Sequence, residues 1–255
     1  GSNMGGDGIA ANVIQIAGCL ENQRGQDLDV SGLPKAEVTT MAGGACTHAL
    51  QAAIEGKDAT YTYRELMVDM GKILSAGKYT QVPSLSSSQP FNLDAPVAIR
   101  PETAARARSL LIGINYKGQG RGELKGCHND VAKVQEWIGK RGFSADPESQ
   151  RVLMDDGVAT SPTKANIWSA LQWLVEGAQP GDALFVHFSG HGGQVGNEDG
   201  LGFDQTLIPV DHKKAGSILD EDILSRVIMP LPKGVDMFCV MDCCHSGSIM
   251  DLPYT

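Results

Sequence analysis

Hydrophobic positions along this chain fall into short runs that alternate with longer segments of helical spacing. Five runs have strand length, at residues 13–19, 109–116, 151–154, 183–188 and 235–241. A sixth, at 96–99, opens on Pro96, which suits an edge strand. Between them, apolar residues recur at helical spacing: Leu50, Ala53 and Ile54 within 43–55, and Leu66, Met67, Met70, Ile73 and Leu74 within 63–74. The same spacing returns at Val131, Val134, Trp137 and Ile138 within 127–140. Ser161-Pro162-Thr163 opens another helix that runs to about residue 177, and a last one is expected around 221–228. Residues 21–40 and 84–92 are polar and read as loops. Strands alternating with helices predict an α/β fold, a mostly parallel sheet with helices on both faces. Residues 118–126 are glycine-rich, yet they lack the third glycine and the following acidic residue of a dinucleotide loop.

Two runs share one grammar. Residues 183–188 are apolar and break into Ser189-Gly190-His191-Gly192-Gly193. Residues 235–241 are apolar and break into Asp242-Cys243-Cys244-His245-Ser246-Gly247. In open α/β sheets, ligands and catalysts sit at the carboxyl ends of the strands. Two adjacent parallel strands would bring His191 and Cys244 to one edge. A thiol has an unperturbed pKa of about 8.5 and needs a neighbouring base to attack at neutral pH, and histidine is suited to that role. The pattern predicts a Cys-His dyad. The N–H groups of Gly192 and Cys244 are the expected oxyanion donors. His191 in a merely solvated turn is the bland alternative, and its flanking glycines argue against it. Cys243 is the rival nucleophile, but neighbouring side chains on an extended segment point opposite ways. His245, adjacent to Cys244, should point elsewhere. Zinc at Cys243, Cys244 and His245 is disfavoured, because adjacent residues on one turn rarely face one ion.

Composition narrows the class. A net charge of -9 argues against nucleic acid or an anionic membrane as the main partner. No apolar run approaches the ~20 residues that span a bilayer, and no stretch reads as a secretory signal. Six cysteines without a C-x-x-C pair suit reduced thiols and a cytoplasmic setting. Residues 1–4 read as an expression remnant and 5–8 as a flexible lead. Residues 9–100 and 109–255 then form two regions of one domain, joined by a linker at 101–108.

Phe188-Ser189-Gly190-His191-Gly192-Gly193-Gln194 and Asp242-Cys243-Cys244-His245-Ser246-Gly247, continuing to Tyr254, resemble the histidine and cysteine motifs of metacaspases. These are caspase-like cysteine peptidases of plants, fungi, protists and bacteria. Gly18-Cys19, Asn22-Gln23, Gly43-Gly44-Ala45-Cys46-Thr47, Gly77-Lys78-Tyr79-Thr80-Gln81 and Leu85-Ser86-Ser87-Ser88 resemble the family's small-subunit region. In most of the family that region follows the cysteine motif. Here it comes first, as in the type III metacaspases of algae, or as an engineered permutation would have it.

The resemblance implies a caspase-like three-layer sandwich with an antiparallel edge strand, in permuted order. It implies His191 as base and Cys244 as nucleophile. It matches Cys127, Asp130, Ser189 and Asp242 to the pocket that selects Arg or Lys before the cleaved bond; two carboxylates there suit a guanidinium or ammonium. The bland alternatives are a helix N-terminal charge for Asp130 and a strand-end carboxylate bonded to nearby backbone for Asp242. The resemblance also implies Ca²⁺ activation through Asp204, Asp220, Glu221 and Asp251, with Asp199 and Asp222 in reserve. Spacing alone indicates no site there, and Glu221 departs from the aspartate usual at its position. The substrates would be proteins or peptides and the enzyme a monomer. Rival readings are a scaffold or chaperone partner on the same fold, and another peptidase of the caspase clan.

In the family's sheet the rearranged order makes residues 13–19 the parallel neighbour of 235–241, and 96–99 the antiparallel edge. The linker then returns along the bottom of the sheet and is expected to be extended.

Overall fold

The computed structural model describes residues 8–18, 44–79, 81–196, 203–243 and 249–255. At its centre are three strands whose side chains are buried on both faces: β3 (Ala107–Gly113), β5 (Ala183–Ser189) and β9 (Asp236–Asp242). Such strands need cover above and below, and helices supply it. The sheet extends through β4 (Gln150–Met154) on one side, and through β1 (Asn12–Ala17) and β2 (Ser84–Ser87) on the other. Its order is β2-β1-β9-β5-β3-β4. Every neighbouring pair is parallel except β1 and β2. β1 is thus the parallel neighbour of β9, and one sheet takes strands from both sides of the linker.

Alternation along the strands sorts the core into two layers. Leu184, Val186 and Phe188 join the layer beneath α4 (Lys164–Val175), while Ala183 and Phe185 face the other way. That second layer lies under α1 (Ala45–Ile54), α2 (Tyr63–Ala76) and α3 (Cys127–Gly139). Two of these helices start as the sequence dictates. Thr62 and Glu65 form a reciprocal capping box at α2, and Thr163 caps α4. α1 has no cap of its own: Gly44 stands at its N-cap position with φ 88 and offers no side chain.

Three expectations need correction. Residues 84–92 are not all loop: Ser84–Ser87 is the antiparallel edge strand β2. Its serines are small enough to be buried, and Ser87 pairs outward with Tyr254, so a polar stretch hides a sheet strand. Residues 96–99 make only an isolated bridge, between Pro96 and Thr62, and are tied to the start of α2 through Val97 and Tyr61. Past His191, the glycine-rich turn continues as β6 (Gly192–Gly196), which pairs with β7 (Phe203–Leu207) and then β8 (Ile218–Leu219) in a second, antiparallel sheet. Two short helices follow in this region, α5 (His212–Ala215) and α6 (Asp220–Ile223). α6 runs into a π-turn over Leu224–Ile228.

The linker is neither helical nor extended throughout. Ala104 N–H bonds to Pro101 C=O in a turn, and β3 already begins at Ala107. Its arginines are anchored. Arg106 bonds to the buried carboxylate of Asp182 at 2.6 Å and to Gly177 C=O, and Arg108 donates to the carbonyls of Trp173 and Glu176. Arg106→Ala would leave the Asp182 carboxylate without its cation. It should cost ~1–3 kcal/mol in denaturant unfolding. Loss of the solvent-exposed Arg64–Asp94 pair by Arg64→Ala should cost clearly less, because water and salt screen both groups. Equal costs would show that Arg106 does not hold the linker.

Candidate active site

β5 and β9 are adjacent and parallel, with Ser189 opposite Asp242. The segments that follow them therefore leave the sheet side by side at its carboxyl edge. His191 sits there, half-buried. Its Nε2 lies 2.7 Å from Gly122 C=O. A carbonyl only accepts, so Nε2 carries the proton and Nδ1 keeps a lone pair. Burial lowers the imidazole's pKa, the Gly122 carbonyl pulls it back up, and the charge of His212 lowers it further. The ring is thus neutral near pH 7, the state of a general base.

A second residue fixes this histidine. The Tyr116 hydroxyl accepts the His191 backbone N–H at 2.9 Å and donates to Ile208 C=O at 2.6 Å. Its ring lies 4.5 Å, centroid to centroid, from the imidazole. Tyr116 holds φ 52, rare for a bulky residue. The flanking N–H groups of Asn115 and Lys117 both bond to Asp155, which also pairs with His128. Gly190 is required here, because a Cβ would lie 3.1 Å from the Tyr116 hydroxyl and 3.0 Å from the Phe188 ring.

Cys244, the predicted nucleophile and second oxyanion donor, lies outside the described residues, as does His245. Cys243 is buried in the α4-side core, 4% exposed, which makes it a poor nucleophile. Gly192 opens β6 directly after His191, opposite Leu207.

Three of the predicted pocket residues, Asp130, Ser189 and Asp242, gather at the same edge beside α1, while Cys127, at the start of α3, packs into the α4-side core. Ser189 Oγ donates to Asp130 Oδ2 at 2.8 Å and also bonds to Cys127. Burial pushes the Cys127 thiol up to about 12, so it is inert. Asp130 is 6% exposed. Burial and then the charge of Asp242 push its carboxyl up to about 6. Asp242 is 1% exposed, and burial raises its pKa too. Its carboxylate accepts the Thr47 N–H at 2.8 Å, the Thr47 hydroxyl, and the N–H groups of Cys46 and Gly44. Asp242 thus caps α1 from across the molecule, and the bland reading of this residue holds alongside any pocket role. Gly44 presses on the other carboxylate: a Cβ there would lie 2.8 Å from Asp130 Oδ1.

The acidic set is looser. Asp220 is buried and accepts the N–H groups of Gln205 and Glu221, both at 2.9 Å. Burial raises its carboxyl to about 6, and the charges of Asp251 and Asp204 push the same way. Among the described residues, no group of three or more His, Cys, Asp or Glu side chains converges as a metal site. Asp199 lies outside the described residues.

Residues 107–253 match the family model for the metacaspase peptidase C14 domain. "Metacaspase III c" of Phaeodactylum tricornutum is 39% identical over 97% of this chain and 76% of its own length. The chain belongs to the metacaspases. "Metacaspase-1" of Mycosarcoma maydis is 46% identical over 58% of this chain, which spans 38% of that relative. "Metacaspase-1A" of Neurospora crassa is 45% identical over 66% of the chain, with the same 38% coverage of its own length. The family is one of caspase-like cysteine peptidases, and the mixed, mostly parallel sheet with its antiparallel edge strand is the fold expected of it.

In this metacaspase, Tyr116, Gly122 and Thr47 are site residues that the sequence did not single out. Tyr116 ends what reads as one apolar run over 109–116, where β3 in fact stops at Gly113. Tyr116→Phe keeps the ring but strands the His191 N–H and the Ile208 carbonyl. It should lower kcat ~10-fold or more with KM little changed. A kcat within about twofold of the parent would remove Tyr116 from the machinery.

Proposed function

We propose that the chain is an endopeptidase that cleaves after Arg or Lys, with Cys244 as nucleophile and His191 as base. The observation that carries the specificity is Asp130. It is a buried carboxylate at the His191 edge, bonded to Ser189, the last residue of β5, just before His191. A guanidinium reaching it would form a charge-assisted hydrogen bond shielded from water.

In this reading His191 Nδ1 takes the proton of Cys244 Sγ, and the thiolate attacks the scissile carbonyl carbon. Charge moves onto the carbonyl oxygen, where the Gly192 and Cys244 N–H groups receive it. Collapse of the tetrahedral intermediate breaks the C–N bond. His191 returns its proton to the leaving amine, and a thioester remains. Water, deprotonated by the same imidazole, then releases the acid and restores the thiol. The Gly122 carbonyl holds the ring in one tautomer throughout and stabilises the imidazolium once it forms.

The reading includes activation by Ca²⁺. A hard cation takes oxygen ligands, and Asp220 is a buried carboxylate already crowded by the charges of Asp251 and Asp204. Asp204, Asp220, Glu221 and Asp251, which do not converge as they stand, would have to draw together to hold the ion, which would relieve that crowding. The colinear match to an algal relative over 97% of the chain supports a natural, type III order over an engineered one. A monomer acting in the cytoplasm completes the proposal; among the described residues no helix is long and apolar enough to cross a membrane.

Fluorogenic peptides ending in Arg, Lys, Asp or Asn, with Ca²⁺ or chelator, test it. Turnover after Arg and Lys, raised by Ca²⁺, is expected, and Asp220→Ala should lose the response. Preference for Asp or Asn, or equal activity in chelator, would contradict it, and no turnover at all would favour a scaffold. The pH dependence has a definite sign. Asp130 is raised to about 6, so its charge is present above that pH and lost below it. KM for Arg peptides should therefore rise as pH falls through about 6. Asp130→Asn should lose ~10- to 100-fold in kcat/KM at pH 7.5.

A further inference from the structure

His187 has no part in the chemistry above, yet it occupies a costly position. It lies on β5, between Leu111 of β3 and Val240 of β9, and is wholly buried, with the apolar Val186 and Phe188 on either side of it in the strand. Burial holds its pKa down at about 3, so it is neutral. Among the described residues, its Nδ1 has no hydrogen-bond partner. An unmatched buried nitrogen is a penalty that an apolar residue of similar size would avoid. The ring's Nε2 lies 3.1 Å from Thr47 Oγ1.

The direction of that contact follows from the next one. The Thr47 hydroxyl also bonds to Asp242, whose carboxyl oxygens already accept the N–H groups of Thr47, Cys46 and Gly44; among these donors they act as acceptors for the hydroxyl as well. The hydroxyl proton therefore points at Asp242. Its oxygen is left to accept from His187, whose Nε2 must carry the ring proton. The chain of donors runs one way, from His187 through Thr47 to Asp242, and joins β5, α1 and β9. Thr47 grips Asp242 twice, by amide and by hydroxyl. Without His187, the hydroxyl could turn to a carbonyl of its own helix, as threonines in helices do.

We propose that His187 is a positioning residue of the specificity pocket: through the Thr47 hydroxyl it fixes the orientation in which Asp242 meets the basic side chain of the substrate. The proposal rests on the reading of Asp242 as a pocket carboxylate. It gives the buried imidazole a use that core packing does not, since a phenyl ring would fill the space without the unmatched nitrogen.

Steady-state kinetics on the full chain with Arg and Lys peptides separate the possibilities. Thr47→Val keeps the shape and removes the hydroxyl, and His187→Phe keeps the ring and removes the donor. Each should raise KM for the Arg peptide about 5- to 20-fold, with the loss falling on KM rather than kcat. Thr47→Ser should restore KM to within about twofold of the parent. The double variant should be no worse than the worse single one, because both cut the same chain. A purely structural role predicts a lower Tm with KM unchanged, or additive losses, and would overturn the proposal. Should His187→Phe fail to fold, Thr47→Val and Thr47→Ser decide alone. Asp242→Asn distinguishes the two levels. If it leaves KM unchanged, the pocket reading fails and takes the proposal with it. If it raises KM while Thr47→Val does not, only the role of His187 and Thr47 is wrong.

Discussion

The site depends on one buried carboxylate. α1 begins at a glycine with no side chain to satisfy its first N–H groups, and Asp242 is a charge enclosed at the end of a central strand. Either group alone would be unfavourable. Orphaned helix N–H groups need acceptors, and a buried carboxylate needs donors. Together they resolve each other, across a separation of 195 residues in sequence. The contact fixes α1 over β9, beside the buried carboxylate of Asp130. It also shows why the order of the two regions can change. The bond requires α1 to reach the carboxyl edge of β9, by whichever route the chain takes.

The His191 side of the edge is built on a different plan. Among the described residues, no third side chain bonds to the imidazole as an acid partner. A backbone carbonyl, from Gly122, sets the tautomer, and a tyrosine hydroxyl sets the backbone. Both come from the loop after β3, whose left-handed Tyr116 is held by Asp155 on either side. Strained backbone of this kind persists where surrounding bonds over-determine it. Ile208, beyond the β6–β7 hairpin, is drawn into the same hydroxyl.

Much of this was legible from residue order. The apolar runs that became β1, β3, β5 and β9 stand out because burial on both faces demands unbroken hydrophobicity, and their abrupt ends marked the catalytic edge. The α4 start was visible in Ser161-Pro162-Thr163 and the course of α2 in its apolar spacing, whereas the Thr62–Glu65 capping box at the start of α2 went unread. What escaped was whatever relies on backbone pairing rather than side-chain type. β2 is serine-rich, and its strand character comes from β1 on one side and Tyr254 on the other. β6 is glycine and polar, so its hairpin had no alternating signature. The roles of Thr47 and Tyr116 were equally hidden, since each is an ordinary residue given meaning by a partner distant in sequence.

The central claim is that both regions build one cleft in which a basic side chain is held while Cys244 attacks. An irreversible peptidyl-arginyl chloromethyl ketone tests it in a single mass-spectrometric peptide map. The account predicts one adduct, on Cys244, suppressed by excess Arg peptide and greatly slowed in Asp130→Asn. An adduct on Cys243 or Cys46, or labelling of Cys244 at equal rates by the arginyl and aspartyl reagents, would contradict it.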